Sequence, residues 1–253
     1  MVNLNAIYVM WLREMKKYVR AKSRIIGTLI IPLLFLVFLG VGLGDLIGGG
    51  LGGMDYRSFL VPGIVGMSMI FSSTFSGISV LWDRQFGFLK EIMVAPVSRV
   101  TIVLGRIAGG STTSIIQGIL VLIISLALGF ASVSALSFVI SIVFMILISM
   151  TFIGFGLVLA SKMRDMQGFG FIMNLIIFPL FFLSGALFPI QNMPGWLAAV
   201  SYIDPLTYGV DGLRGAMIGI SMFPLLLDVA VLMGFSAVMI ILGSYFFNKS
   251  DAV

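Results

Sequence analysis

The sequence predicts an all-α polytopic membrane protein. Three observations carry that expectation. Of 253 residues, 60% are hydrophobic and only 10% charged, where soluble domains carry about 45–50% and about 25%. The charges fall in clusters separated by long uncharged runs, each long enough to cross a bilayer. Histidine and cysteine are absent, which excludes a disulfide framework, thiolate chemistry, an imidazole base and a His-bearing zinc site. The mean hydropathy of +1.17 agrees.

A spanning helix needs about 20 apolar residues. The uncharged runs, extended past Arg106 and Asp228 at two of their ends, place spans at 25–44, 58–82, 103–129, 134–160, 166–187 and 224–247. The run from 107 to 161 is too long for one helix, and its natural break is the small, polar stretch 129–134. Strands are excluded because the runs are continuously apolar and do not alternate. Arg13, Lys16, Lys17, Arg20, Lys22, Arg24, Arg84, Lys90, Arg99, Arg106, Lys162, Arg164 and Lys249 then fall on one side, with only Arg57 and Arg214 opposite. That bias puts both termini in the cytoplasm; the membrane expected is the plasma membrane of a prokaryotic cell. The net charge of +5 is a topology signal, so nucleic acid is not an expected partner.

Before the first span, 3–22 reads as a helix. Leu4, Ile7, Trp11, Met15 and Tyr18 recur on one side; Arg13, Lys16, Lys17 and Arg20 occupy the other. This suits an amphipathic helix in the inner headgroup layer, or a plain basic anchor. The long basic region, full-length apolar run and missing small-residue cleavage site argue against a cleaved signal peptide.

Two motif matches are decoys. Gly42-Leu43-Gly44-Asp45 matches the G-x-G-D of intramembrane aspartyl proteases, but those need a second embedded aspartate, and Asp228 lies near an outer boundary. Residues 105–112 nearly form a phosphate loop, yet Ser111 stands where the phosphate-gripping lysine belongs and no strand precedes it. Gly110, Ser114 and Gly118 suit close helix packing instead. Deep charges of the kind that serve ion-coupled carriers and channels are nearly absent, so uphill transport needs energy from a separate subunit.

Two segments remain as carriers of function. In 84–96 a short helix presents Phe88, Leu89, Ile92 and Met93 as an apolar stripe beside Lys90 and Glu91, and Pro96 ends it. Such a helix can dock in a partner's groove or lie on lipid. In 188–217, Asp204 followed by Pro205 marks a helix start. Leu206, Val210, Leu213 and Met217 form one stripe, with Thr207, Asp211 and Arg214 on the other. Too short and polar to span, this segment reads as a re-entrant hairpin or as an outer loop with an interfacial helix.

The run of Phe188, Pro189, Met193, Pro194 and Trp196 joins the D-P-L-T-Y and D-G-L-R-G runs at 204–215 and the G-F-L-K-E-I-M-V-A-P-V-S-R stretch at 87–99. With the order of spans, these resemble the type-2 ATP-binding-cassette (ABC) exporter permeases, a group that includes daunorubicin-resistance, nodulation-factor and O-antigen export permeases. The family often has Asn where Asp204 stands; either residue caps a helix. The resemblance implies one transmembrane domain over 1–253 and no ATPase site of its own. ATP and Mg would be bound by two partner ABC ATPase subunits, beneath two copies of this permease. It implies coupling through Phe86, Gly87, Phe88, Leu89, Lys90, Glu91, Ile92, Met93, Pro96 and Arg99. It also implies an outer gate built from Phe188, Pro189, Met193, Pro194, Trp196, Asp204, Pro205, Thr207, Asp211 and Arg214. The expected cargo is hydrophobic or amphipathic: a drug, a lipid or a lipid-linked molecule. A polysaccharide or lipid-linked glycan is the alternative, for which Phe35, Phe38, Phe171, Phe178, Phe181 and Phe182 could line a channel. An autonomous channel or ion-coupled carrier is the reading from another class.

Overall fold

In a computed structural model, residues 3–42, 44, 55–86, 97–163 and 165–250 are described. They form ten α-helices and no strand. In chain order these are α1 (Leu4–Arg20), α2 (Lys22–Gly42), α3 (Tyr56–Ser76), α4 (Ile78–Gln85), α5 (Arg99–Ala127) and α6 (Ala135–Lys162). After them come α7 (Met166–Leu183), a 3₁₀ turn (Ile190–Asn192), α8 (Gly195–Ser201), α9 (Pro205–Ile218) and α10 (Leu225–Ser250). Six candidate spans are long and apolar enough to cross a membrane, with α3 and α4 together supplying the second.

Side-chain caps set the helix starts. Asn3, Asp55, Ser98, Ser134 and Asp165 each accept a backbone N–H from the first turn they precede. Each such cap contributes about 1 kcal/mol where water would otherwise have to satisfy those donors. At the α5–α6 turn, Gly129 takes φ +73°, a left-handed conformation that glycine adopts without strain.

The core forms around α3, which packs against α2, α5, α6, α7 and α9. Buried residues make up 71% of the second span but only 17%, 22% and 17% of the first, fifth and sixth. α2, α7 and α10 therefore present their faces outward. Small residues let the backbones meet. A Cβ on Gly77 would sit 2.5 Å from the Gly156 carbonyl carbon, and one on Gly156 would sit 2.5 Å from the Thr74 carbonyl oxygen. The second span is interrupted at that crossing, at Gly77 between α3 and α4, although its sequence is one unbroken apolar run. Gly110 faces Ser76 and Ile153, and Gly118 faces Met69 and Met145, as the small-residue spacing predicts.

Polar groups bridge the spans where lipid offers no partner. The Ser114 hydroxyl donates to the Ser72 hydroxyl at 3.1 Å. Thr151 and Ser236 share a bond of 2.7 Å between α6 and α10. Gln117 donates to the Thr28 hydroxyl, tying α5 to α2. Such bonds contribute about 0.6 kcal/mol each in a membrane, so packing carries most of the stability and the hydroxyls fix which faces meet.

Candidate functional site: two polar ends of one bundle

α1 lies along the first turns of α5. A Cβ on Gly105 would touch Met10, and one on Gly109 would touch Glu14. The Trp11 indole donates to the Thr112 hydroxyl at 3.0 Å, and the Asn3 N–H reaches the Thr101 hydroxyl at 3.3 Å. The face turned to the bundle includes Asn3, Met10, Trp11 and Glu14, and of the apolar stripe read from the sequence Ile7, Trp11, Met15 and Tyr18 are half-buried. Leu4, at its head, is 77% exposed.

One turn along α1, Arg13 forks onto Asp83 at the end of α4, with N–O distances of 2.6 and 3.3 Å. Asp83 also accepts from Arg106 of α5 at 2.8 Å, and Lys17 lies 3.5 Å away. The second guanidinium nitrogen of Arg106 donates to Ser79. Both Asp83 and Arg106 are buried, so each needs the other. Three segments distant in sequence are thus clasped by one carboxylate. Sequence reading took Asp83 as a span boundary, Arg13 as part of the basic face of the 3–22 helix, and Arg13 and Arg106 as orientation signals. Nothing in local periodicity links positions 13, 83 and 106.

The chain runs from this clasp into the expected coupling segment. Phe86 follows α4, is exposed, and meets Trp82 edge-on at 6.2 Å. Gly87, Phe88, Leu89, Lys90, Glu91, Ile92, Met93 and Pro96 lie outside the described residues. Arg99 is the first residue of α5.

The opposite end holds the expected gate residues, in two groups. Phe188, Pro194 and Trp196 are exposed and Pro189 and Met193 half-buried, along the turn and the start of α8. Asp204, Thr207, Asp211 and Arg214 are buried in α9, and Pro205 opens that helix. The polar stripe of α9 is therefore as buried as its apolar one, contrary to an interfacial helix with one wet face. α9 sits between α3, α6 and α10 because glycine removes the obstacles. A Cβ on Gly212 would lie 2.0 Å from the Phe144 ring, and one on Gly209 would lie 2.6 Å from Ile148. Gly66 of α3 makes room for Val210 in the same way.

The buried polar groups of α9 bond mainly to backbone. Asp204 accepts the Leu206 N–H at 2.9 Å, and burial pushes its carboxyl up to about 8. Thr207 donates to the Ser201 carbonyl at 2.7 Å. Asp211 accepts the Met222 and Phe223 N–H groups at 2.8 to 2.9 Å, pinning the turn after α9. Arg214 donates to the Gly185 carbonyl at 2.9 Å and sits 3.8 Å from the Phe59 ring centroid. Burial lowers its guanidinium to about 10, so it stays a cation at neutral pH, with Asp211 holding it up. Asp228, in the first turn of α10, is fully buried with both carboxylate oxygens unpartnered among the described residues. Its burial was not legible from its place at the outer edge of an apolar run.

Among the described residues no cluster of acidic side chains could hold a metal ion. Of the six phenylalanines named for a channel, Phe38, Phe171 and Phe182 are exposed on α2 and α7. Phe35 packs edge-on against Phe181, and Phe178 against Phe71.

Comparison with known proteins agrees in extent with this architecture. The family described as ABC-2 type transporter matches residues 5–218. Nodulation protein J of Rhizobium meliloti strain 1021 is 30% identical over 201 residues, covering 79% of this chain and 76% of its own. Nodulation protein J of Rhizobium leguminosarum bv. trifolii is 30% identical over 214 residues, 84% of this chain and 78% of its own. The inner membrane transport permease YadH of Escherichia coli K12 is 27% identical over 234 residues, 91% and 90% of the two chains. The chain is a multi-pass membrane protein that belongs to the ABC-2 type transporter family of permeases.

Proposed function

We propose that this chain is the transmembrane permease subunit of an ATP-driven exporter. Two copies stand side by side over two ABC ATPase subunits, and ATP and Mg bind only to those partners. The cargo is a hydrophobic or amphipathic molecule taken from the cytoplasm or the inner leaflet. The observation that carries the reading is the Asp83 clasp. A buried carboxylate joins α1, α4 and α5 four residues before the 87–96 segment, so a push on that segment would reach two further helices at once.

In this account the clasp end faces the cytoplasm, α1 lies at the inner interface and α9 forms the outer gate. A motor on a separate chain is supported by the near-missing phosphate loop at 105–112, which lies within α5 with Gly105, Gly109 and Gly110 all spent on packing. A second reading, in which the cargo is a polysaccharide or lipid-linked glycan, is favoured by Phe38, Phe171 and Phe182, exposed on the first and fifth spans, of which only 17% and 22% is buried. An autonomous carrier is disfavoured, because the described ion pairs of the bundle gather at the clasp end.

Reconstitution tests the reading. The purified permease alone should hydrolyse no ATP. Added to its ATPase partner in proteoliposomes, it should support hydrolysis that rises with exported substrate. ATP turnover by the permease alone, free of contaminants, would sink the proposal.

A further inference from the structure

Between α9 and the 220–223 turn lies a cavity of about 340 Å³. Small-molecule pockets run from about 300 to 1,000 Å³, so this one has room for a small polyatomic ion and some water. Ser184, Thr207, Asp211 and Arg214 form its buried floor, and Gln191 and Asn192 its exposed rim.

The hydrogen bonds of the floor do not balance. Arg214 is buried and carries five N–H donors. Among the described residues only one of them finds an acceptor, the Gly185 carbonyl at 2.9 Å, and the buried Nε has none. The Phe59 ring lies over the guanidinium face, which leaves the N–H groups around its edge unmatched. Asp211, one turn back on α9, does not supply the missing acceptor. Its oxygens are taken by the Met222 and Phe223 N–H groups, and no ion pair joins it to Arg214. The Ser184 and Thr207 hydroxyls donate to the Phe181 and Ser201 carbonyls, so their remaining lone pairs suit water. What the floor lacks is a negatively charged acceptor, the partner that a guanidinium bonds most strongly. Chloride offers one centre and a carboxylate two oxygens in one plane. A phosphate turns oxygens to several walls at once, to Arg214 below and to the rim amides above. The charge of Asp211 nearby favours a phosphate that carries a single charge.

We infer that this cavity is an oxyanion site for a singly charged phosphate group, either free phosphate or the diester of a membrane phospholipid, held by Arg214 from the floor and by Asn192 from the rim. The phosphate is a fixed ligand of the fold, distinct from any cargo. It joins α9 to the turn at 190–192, two segments that meet at this cavity. It also gives the buried guanidinium the counter-charge that Asp211, committed to the 220–223 turn, does not.

The chain has no native cysteine, which allows a protection experiment on the full-length permease, purified in dodecyl maltoside without phosphate. Ser221, exposed in the cavity lining, is changed to cysteine, and its labelling by uncharged N-ethylmaleimide is timed at mildly acidic pH, where inorganic phosphate carries one charge. Sodium phosphate should slow labelling saturably, about tenfold or more. Sodium chloride and sodium acetate at matched ionic strength should not. Ala199→Cys, exposed on α8 and outside the lining, should label at one rate in all conditions. Dihexanoyl phosphatidylglycerol, below its micelle-forming concentration, separates the two sources. Whichever of the two phosphates protects at the lower concentration is the source, and either outcome upholds the site. Arg214→Gln should abolish protection, and Asn192→Ala should raise the protecting concentration about tenfold, the loss of one charge-assisted hydrogen bond. Arg214 is buried, so its variant counts only where labelling without phosphate is normal; Asn192 is exposed, and its variant decides the matter otherwise. Equal slowing by chloride or acetate, slowing at Ala199→Cys, protection by neither phosphate, or undiminished protection in Asn192→Ala would overturn the assignment. No ATP, cargo or partner subunit enters the experiment, so its outcome is independent of the export reading.

Discussion

The two polar ends of the bundle satisfy buried charge in different ways. At the clasp end, Asp83 is held by side chains from two other helices, Arg13 and Arg106. At the gate end, Asp211 is held by two backbone N–H groups and Arg214 by a backbone carbonyl. Bonds between long side chains can break and reform while helices slide, as a joint that transmits motion requires. Bonds to backbone fix the turn that carries them, so α9 and its flanking turns behave as one block. The gate block is further locked by glycine: Gly209 and Gly212 seat it directly on α6. On the export reading proposed above, the clasp would be the joint that receives motion and α9 the block that it moves.

The largest expected effect breaks the joint. Asp83→Ala leaves Arg106 buried without its carboxylate, which typically costs about 3–5 kcal/mol. Arg13→Ala should cost about 1 kcal/mol, because Arg13 is partly exposed and the Arg106 pair survives. Thermal unfolding in detergent should rank the variants in that order. Equal losses would mean that the clasp is not organised around the buried pair.

Next is the block. Gly212→Ala puts a methyl group against the Phe144 ring, an overpacking that costs about 1–3 kcal/mol. Phe144→Leu should recover part of that loss in the double variant. A Gly212→Ala protein as stable as the parent would show that α9 is not seated on α6.

The third effect is a slope with pH. With its carboxyl raised to about 8 in the folded chain against an ordinary 3.8, Asp204 keeps a proton that the unfolded chain has released between those values. Its contribution to stability therefore falls as pH rises through that window and levels off above about 8. Asp204→Asn keeps the oxygen that caps α9 and removes the ionisation. Melting between pH 5 and 8 should be flatter in the variant, and an unchanged slope would assign the pH dependence elsewhere.

The six spans were legible because the bilayer imposes length and the charges mark the ends. The start of α9 was legible from Asp204 and Pro205, since capping is local. The clasp was not, because positions 13, 83 and 106 meet only after three helices pack. The burial of the Thr207, Asp211 and Arg214 face was hidden for the opposite reason: local periodicity assigns a polar stripe to water, and here neighbouring backbone replaces the water. The break at Gly77 was invisible because nothing in an apolar run distinguishes a glycine at a crossing from one facing lipid. Gly209, Gly212 and Gly215 did carry a signal, three small residues at three-residue spacing, which motif reading absorbed without weighing its packing meaning.

Which end faces the motor is the central claim, and cysteine labelling in intact cells tests it most directly. The chain has no cysteine of its own, so each introduced thiol reports alone. Asn192→Cys, at the gate end, should react with an impermeant maleimide from outside, whereas Ser98→Cys and Met163→Cys, at the clasp end, should react only after the membrane is permeabilised. Labelling of Ser98→Cys in intact cells with Asn192→Cys protected would reverse the bundle and contradict the account.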